Sequence, residues 1–193
     1  LPVSKMLLLG VLAGMLIAFP SCVTNMASYG LDNNSTIRAI SGLLFAFGLG
    51  IVILIGAELF TGNTLIFISV LEKKVRVAAM LKDWLFVYIG NFIGCLLLSF
   101  LFVISGADRE ILINYYQTFV YTKLSISPFQ LLLRGVLCNF MVCLAVWANT
   151  RMKSESGKLI VMFCIIMTFV ESGFEHCIAN MATFSIGSMI LGG

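Results

Sequence analysis

The sequence predicts an all-α membrane protein built on an inverted repeat, with two of its helices broken inside the bilayer. Three observations carry that prediction. The 193 residues are 60% hydrophobic and only 11% charged, with a mean hydropathy of +1.06, a balance far outside that of a soluble domain of this length. The apolar residues gather in five segments, two of them too long for a single crossing. Each overlong segment is interrupted by the same pattern, Gly-x-Glu-x-x-x-x-Asn, first as GAELFTGN at 56–63 and again as GFEHCIAN at 173–180.

The segments run from Met6 to Val23, Ala39 to Leu71, Trp84 to Ile104, Phe129 to Trp147 and Leu159 to Leu191. The first, third and fourth are close to the ~20 residues that carry a helix across ~30 Å of hydrocarbon. The first reads as a span rather than a signal peptide, because no small-residue cleavage site followed by a soluble domain comes after it. The second and fifth each run about 33 residues, which as one continuous helix would reach about 50 Å. A break inside the membrane absorbs that excess without extreme tilt. Non-helical backbone at such depth survives only where protein or a water-lined cavity satisfies its amides. Two broken helices therefore imply a central cavity.

Charge between the segments sets the topology. The loop Glu72 to Asp83 carries Lys73, Lys74, Arg76 and Lys82, and the loop Asn149 to Lys158 carries Arg151, Lys153 and Lys158; the positive-inside rule makes both cytoplasmic. The amino end with Lys5 then lies inside, while Ser28 to Thr36 and Ser105 to Pro128 lie outside. The second outer connection holds Tyr115, Tyr116, Phe119 and Tyr121, an aromatic cluster suited to the membrane interface. The sequon-like Asn33-Asn34-Ser35 falls in the first.

The likeness between the halves extends past the octapeptides: GVLAG at 10–14 in the first segment has a counterpart in GVLCN at 135–139 in the fourth. Segments one and two thus resemble four and five, in order. Three spans are an odd number, so the second copy starts from the opposite side of the membrane. The whole chain, 1–193, is expected to be one transmembrane domain, with repeat one at 5–105 and an incomplete repeat two at 129–193. The third segment, with Gly90-Asn91-Phe92-Ile93-Gly94, has no partner in the second half, so five spans of an expected six are present. Half-helices of opposite sense would meet near the midplane and offer their amide ends to an anion. Gly10, Gly14, Gly90 and Gly94 fit close helix packing.

AELFTGN at 57–63, LCNFMVCLAVW at 137–147 and SGFEHCIANM at 172–181 resemble the signatures of the formate/nitrite transporter family, and the likeness covers nearly the whole chain. The resemblance implies an aquaporin-like fold of six spans with the second and fifth broken, and a homopentamer in the cell (inner) membrane with one pore per subunit. It implies passage of small monovalent anions of weak acids such as formate, nitrite or hydrosulfide. Matched motif by motif, it implies a pore histidine at His176, a facing threonine at Thr61, and pathway asparagines at Asn139 and Asn180. It further implies apolar constrictions at Phe45, Leu49, Leu59, Phe60 and Phe169, and a vestibule lysine at Lys123.

The residues themselves admit plainer roles beside these. His176 is the one histidine of the chain, and an ionisable group within a membrane is a functional candidate by default; it is read as donating a hydrogen bond or proton to the anion, with a purely structural histidine as the alternative. Thr61 offers a hydroxyl that both donates and accepts, or else bonds back to a carbonyl in the break. Glu58 and Glu175 are read as anchors of the two breaks, accepting hydrogen bonds from otherwise orphaned backbone amides. Glu171, one helical turn before Glu175, has no assigned role. Lys123 either raises the local anion concentration or is a solvated surface lysine. Asn139 and Asn180 touch substrate or cross-link helices, and the apolar constriction residues are gates or simply core.

Other classes fit less well. A net charge of +3, scattered along the chain, argues against nucleic acid. Six cysteines without a paired motif, and a single histidine, argue against a metal site, a cofactor or an enzyme. An aquaporin-like channel for neutral solutes would resemble others in Asn-Pro-Ala at each half-helix start, whereas Asn63 is followed here by Thr64-Leu65 and Asn180 by Met181-Ala182. A non-transporting structural subunit is the remaining alternative. The partners expected are thus a small monovalent anion, the lipid bilayer and further copies of the chain.

Overall fold

In a computed structural model, which describes residues 1–27, 31, 34–107 and 109–192, all the regular structure among the described residues is α-helical. The helices are α1 (Val3–Ala27), α2 (Asn34–Ile55), α3 (Phe60–Asn63), α4 (Ile66–Leu71), α5 (Val77–Ile104), α6 (Arg109–Leu124), α7 (Pro128–Arg151), α8 (Glu155–Glu171) and α9 (Cys177–Leu191). Within α1, α2, α5 and α7 lie apolar stretches of 22, 21, 28 and 24 residues, long enough to cross a membrane. The chain is therefore a multi-pass helical membrane protein.

Both overlong segments are interrupted where the repeated pattern falls. Helix α2 stops at Ile55 and α3 starts at Phe60; α8 stops at Glu171 and α9 starts at Cys177. At each stop a glycine, Gly56 or Gly173, takes φ of 68°, the left-handed region in which a side chain is strained. The chain then folds back alike in both places, with Ala57 N donating to Val52 O at 3.0 Å and Phe174 N to Phe169 O at 3.2 Å. The repeated glycine is thus a helix stop, and its spacing from the glutamate sets the length of the extended piece that follows.

Packing centres on α1, which lies against α5 most extensively and also against α2 and α9. The close approach of α1 and α5 depends on missing side chains: a Cβ at Gly14 would sit 2.1 Å from Asn91 O, and one at Gly94 would sit 2.1 Å from Val11 O. Small residues allow such contact, which matters where lipid offers no hydrophobic drive for helices to associate. Ala13, Ile17, Cys95, Val142, Ile166 and Ile178 fill the resulting core.

Three expectations need correction. The loop expected at Glu72 to Asp83 is largely helix, since α5 begins at Val77 and carries Lys82 and Asp83. Likewise α7 and α8 close the second basic loop to residues 152–154. The connection expected outside, Ser105 to Pro128, contains α6, and its aromatics are not all interfacial: Tyr116 is buried, its hydroxyl donating to Ser21 O at 3.1 Å. A tyrosine on a helix of mixed composition serves as core when a neighbouring helix offers a carbonyl. Much of the first outer connection, including Asn33 of the sequon, lies outside the described residues.

Candidate functional site

The two interruptions meet. Thr61, in the first turn of α3, lies with Oγ1 3.1 Å from Nε2 of His176 in the second interruption, and both residues are buried. His176 is also the N-cap of α9, its Nδ1 accepting from Ala179 N at 3.1 Å. An Nδ1 that accepts has no proton, so in the neutral ring the proton sits on Nε2 and is donated to Thr61. The threonine hydroxyl then keeps its own proton for another acceptor. Phe169 of α8 stacks over the imidazole, with ring centroids 6.3 Å apart and planes 24° from parallel.

Each glutamate of the repeated pattern bonds the asparagine five residues on: Asn63 Nδ2 donates to Glu58 Oε2 at 2.7 Å, and Asn180 Nδ2 to Glu175 Oε2 at 2.9 Å. That pairing explains the spacing, because the extended residues after the glutamate fold its carboxylate back onto the first helical turn. Both glutamates also tether their backbone N–H to the first helix of their own half, Glu58 to Leu9 O at 3.3 Å and Glu175 to Arg134 O at 3.4 Å. Leu9 and Arg134 directly precede the matching GVL triplets. The anchoring expected of Glu58 and Glu175 therefore runs through side-chain amides rather than orphaned backbone amides.

Further partners complete each interruption. Asn63 Nδ2 also donates to Asp83 Oδ2 at 2.8 Å, and Trp84 Nε1 caps Asn63 O at 3.0 Å. Asn91, fully buried on α5, donates to Gly10 O and Glu58 O at 2.9 Å each, and its Oδ1 accepts from Phe60 N at 2.9 Å. It supplies the cap that Leu59 cannot give α3. On the other side, Lys123 of α6 forms an ion pair with Glu175 in which both side chains are at least 86% shielded. Lys123 is thus neither a free cation at a mouth nor a solvated lysine. With Phe60 N bound by Asn91 and Ala179 N by His176, the half-helix ends offer an anion fewer free amides than the sequence suggested.

Beside this meeting point opens a cavity of about 640 Å³, lined by α1, α2, α6, α7, α8, α9 and the second interruption. His176, Asn180, Lys123, Phe45 and Phe169 all face it, together with Arg38 and Arg134. Glu175 faces it too, and the remaining expected residues are elsewhere. Leu49 and Leu59 are buried in the apolar core. Phe60 turns to α5, edge-on to Tyr88 and Trp84 with centroids 5.1 and 6.2 Å away. Asn139 bonds Thr64 Oγ1 at 3.0 Å, and Thr64 in turn donates to Thr61 O at 2.7 Å, so it braces the first interruption from α7. Glu171 ends α8 while Glu175 lies beyond the stop, so the two do not share a helix; the Glu171 carbonyl accepts from Arg38 at 3.4 Å. Asn91, Asp83 and Arg134 were not singled out from sequence. A lone amide in the apolar run at Asn91 is the signal that points to one of them.

A multi-pass helical membrane protein whose two helix interruptions meet beside a cavity bearing basic and hydroxyl side chains on a largely apolar wall has the architecture of a channel or transporter. The family model described as "Formate/nitrite transporter" matches residues 1–192, and the chain belongs to that family. It is 34% identical over 184 residues to the "Formate channel FocA" of Haemophilus influenzae, covering 92% of this chain and 64% of that protein. It is 33% identical to the protein of the same name from Escherichia coli K12, covering 96% and 67%. It therefore spans about two thirds of the length of these relatives. Among solved structures, it is similar to a "Pentameric formate channel with formate bound", with a TM-score of 0.87 at 30% identity, over 97% of this chain and 76% of the other. An "FNT family ion channel" matches with a TM-score of 0.79 at 25% identity, over 95% and 72%.

Proposed function

We propose that this chain forms a path for a small monovalent anion of a weak acid, formate foremost and nitrite or hydrosulfide as further candidates, and that Thr61 and His176 act on it. The observation that carries this reading is the 3.1 Å contact between Thr61 and His176, made where the two copies of one sequence pattern meet beside a cavity bearing three cations. The names of the relatives, two formate channels and a structure with formate bound, support the substrate class.

The anion would be drawn into the outer cavity by its basic lining and would meet the Thr61 hydroxyl as its donor. His176 would act through that hydroxyl, its Nε2–H orienting the threonine, rather than by direct contact. A proton arriving on Nδ1 would face the Ala179 N–H and displace the cap of α9, so charge on the ring is coupled to the helix end. Phe45, Leu49, Leu59 and Phe169 would form the dry constriction that a neutral or well-screened solute crosses; Phe60, turned to Tyr88, supports the wall. Asn180 and Asn139 would hold the two interruptions in register.

The same reading includes an aquaporin-like inverted repeat (5–105 and 129–193), an amino terminus on the cytoplasmic side of an inner membrane, and a homopentamer. The matched stops at Gly56 and Gly173 support the first, the basic connections the second, and the likeness to a pentameric formate channel the third. Stopped-flow flux into proteoliposomes with formate, nitrite, hydrosulfide and glycerol tests the function. Passage of the anions and exclusion of glycerol is expected; glycerol passing while formate does not would sink the reading. His176→Asn is expected to change the pH dependence of flux, and an unchanged profile refutes the role given to the ring.

A further inference from the structure

The matched halves differ in what α1 and α7 carry at two equivalent places. GVLAGMLIA at 10–18 in α1 aligns without a gap on GVLCNFMVC at 135–143 in α7, so Gly14 answers to Asn139 and Ala18 to Cys143. Each of these helices packs against the half-helix of the other repeat, α1 against α9 and α7 against α3. On α1 both places are buried and apolar. On α7 they hold an amide and a thiol, four residues apart and therefore on one face of the helix. Polar groups are costly in an apolar medium unless bonded, and both of these reach the turn that carries Thr61.

That turn leaves the Thr61 carbonyl to side chains. Leu65 N, four residues on, donates to Gly62 O at 3.2 Å instead, while Thr64 Oγ1 donates to Thr61 O at 2.7 Å and Cys143 Sγ at 3.6 Å. With the Thr64 proton so used, the 3.1 Å contact between Thr64 Oγ1 and Cys143 Sγ needs the proton of the thiol. Asn139 Nδ2 donates to both atoms, at 3.0 and 3.7 Å. Whether the S–H points at Thr61 O or at Thr64 Oγ1, its bond ends on the Thr61 carbonyl, directly or through one hydroxyl. The second half-helix is held alike. Ile178, which stands where Thr61 does in the repeated pattern, offers its carbonyl to Cys95 Sγ of α5 at 3.5 Å. In both places a thiol of one repeat grips the half-helix of the other, but only in the first does the gripped residue carry a hydroxyl, the one 3.1 Å from His176 Nε2.

We propose that Cys143 is a positioning residue for Thr61, its thiol completing with Asn139 and Thr64 a clamp on the Thr61 carbonyl. Asn139, Cys143 and Thr64 lie off the wall of the cavity, so the clamp acts through Thr61 rather than on an anion held there. The peptide plane is rigid and the side chain sits in a staggered well relative to its backbone, so fixing the Thr61 carbonyl fixes the direction in which Oγ1 meets Nε2. The effect on flux rests on the transport reading; the geometry at the imidazole does not.

Because His176 is the one histidine of the chain, isotope-labelled histidine in the full chain in lipid nanodiscs gives a single Nε2–H resonance by NMR, and formate uptake into proteoliposomes, per folded molecule, is the second reading. Cys143→Ala should move the Nε2–H proton upfield, as for a lengthened bond to Thr61. It should also lower maximal formate uptake about tenfold, with the half-saturating concentration within about twofold of wild type. Cys143→Ser keeps a donor and should restore at least half of both readings. Alanine at the exposed Cys164 of α8 should alter neither. An unmoved resonance or unchanged uptake in Cys143→Ala, a serine variant no better than the alanine one, or an equal shift in Cys164→Ala would overturn the assignment. Wild type that passes no formate, with the resonance still moved in Cys143→Ala, would end the transport reading and leave the clamp standing.

Discussion

The two interruptions share a sequence pattern, a glycine stop and a glutamate–asparagine bond, yet they are anchored by opposite means. In the first, Asn63 is the hub, its amide shared between Glu58 and Asp83 at 2.7 and 2.8 Å, and Asn91 binds the backbone on both sides of the turn. In the second, Glu175 is the hub, taking Asn180 and the Lys123 ammonium, and a histidine caps the helix that follows. The first is held by Asp83, Trp84 and Asn91 of α5, a helix locked to α1 by glycine contacts, and meets no cation among the described residues. The second is held by one charge from α6, the helix between residues 105 and 128, and faces the cavity. The difference teaches that a repeated motif fixes the local turn, while its surroundings decide whether that turn is a brace or a working surface.

The largest effect expected from this contrast is at Asn91. Asn91→Ala removes three hydrogen bonds and leaves Phe60 N and Glu58 O without their Asn91 partner at a largely buried place, a loss of about 3–5 kcal/mol. Thermal unfolding in detergent micelles reads it, and a shift no larger than that of a surface substitution would break the assignment of a brace. Next comes Lys123→Met, which strands the Glu175 carboxylate with side-chain exposure of 10% and should cost about 3 kcal/mol or more. The double variant Lys123→Met/Glu175→Gln should recover most of that loss, because a neutral amide still accepts from Asn180; no recovery would mean that Lys123 acts otherwise than on Glu175.

The matching change in the first interruption should be far milder. Glu58→Gln keeps an oxygen for Asn63 and orphans no cation, so stability should stay within about 1 kcal/mol of wild type. A loss equal to that of Lys123→Met would erase the distinction between the two anchors. The smallest stability effect is expected for His176→Asn, since asparagine is itself a good N-cap and α9 keeps its start. Melting should change by less than about 1 kcal/mol equivalent while the pH profile of anion flux moves; a large melting loss with an unaltered profile would make the histidine structural alone.

Much of the architecture was legible because it is local. Apolar runs mark the long helices, and the repeated Gly-x-Glu-x-x-x-x-Asn marks both stops, since a glycine at positive φ ends a helix whatever surrounds it. The pairing of Thr61 with His176 was reached through the family resemblance, for residues so far apart in the chain carry no spacing signal. Helix α6 escaped notice because its mixed polar and aromatic sequence has no strong helical periodicity, and its role depends on Tyr116 finding Ser21 O. Phe60 was expected in a constriction, but an aromatic at a helix start points wherever the adjoining helix leaves room, here towards Tyr88 and Trp84.

The sequence by itself determined that this chain lives in a bilayer, where its long helices run, and where two of them stop, because composition, length and glycine dihedrals act over a few residues. Tertiary structure alone decided that Glu175 meets a lysine beside its asparagine while Glu58 does not among the described residues, and which ring nitrogen of His176 carries the proton. The reason is physical. In a medium without water each polar group takes its partner from whichever helix lies nearest, and nearness across the fold is a property of packing that no stretch of sequence contains.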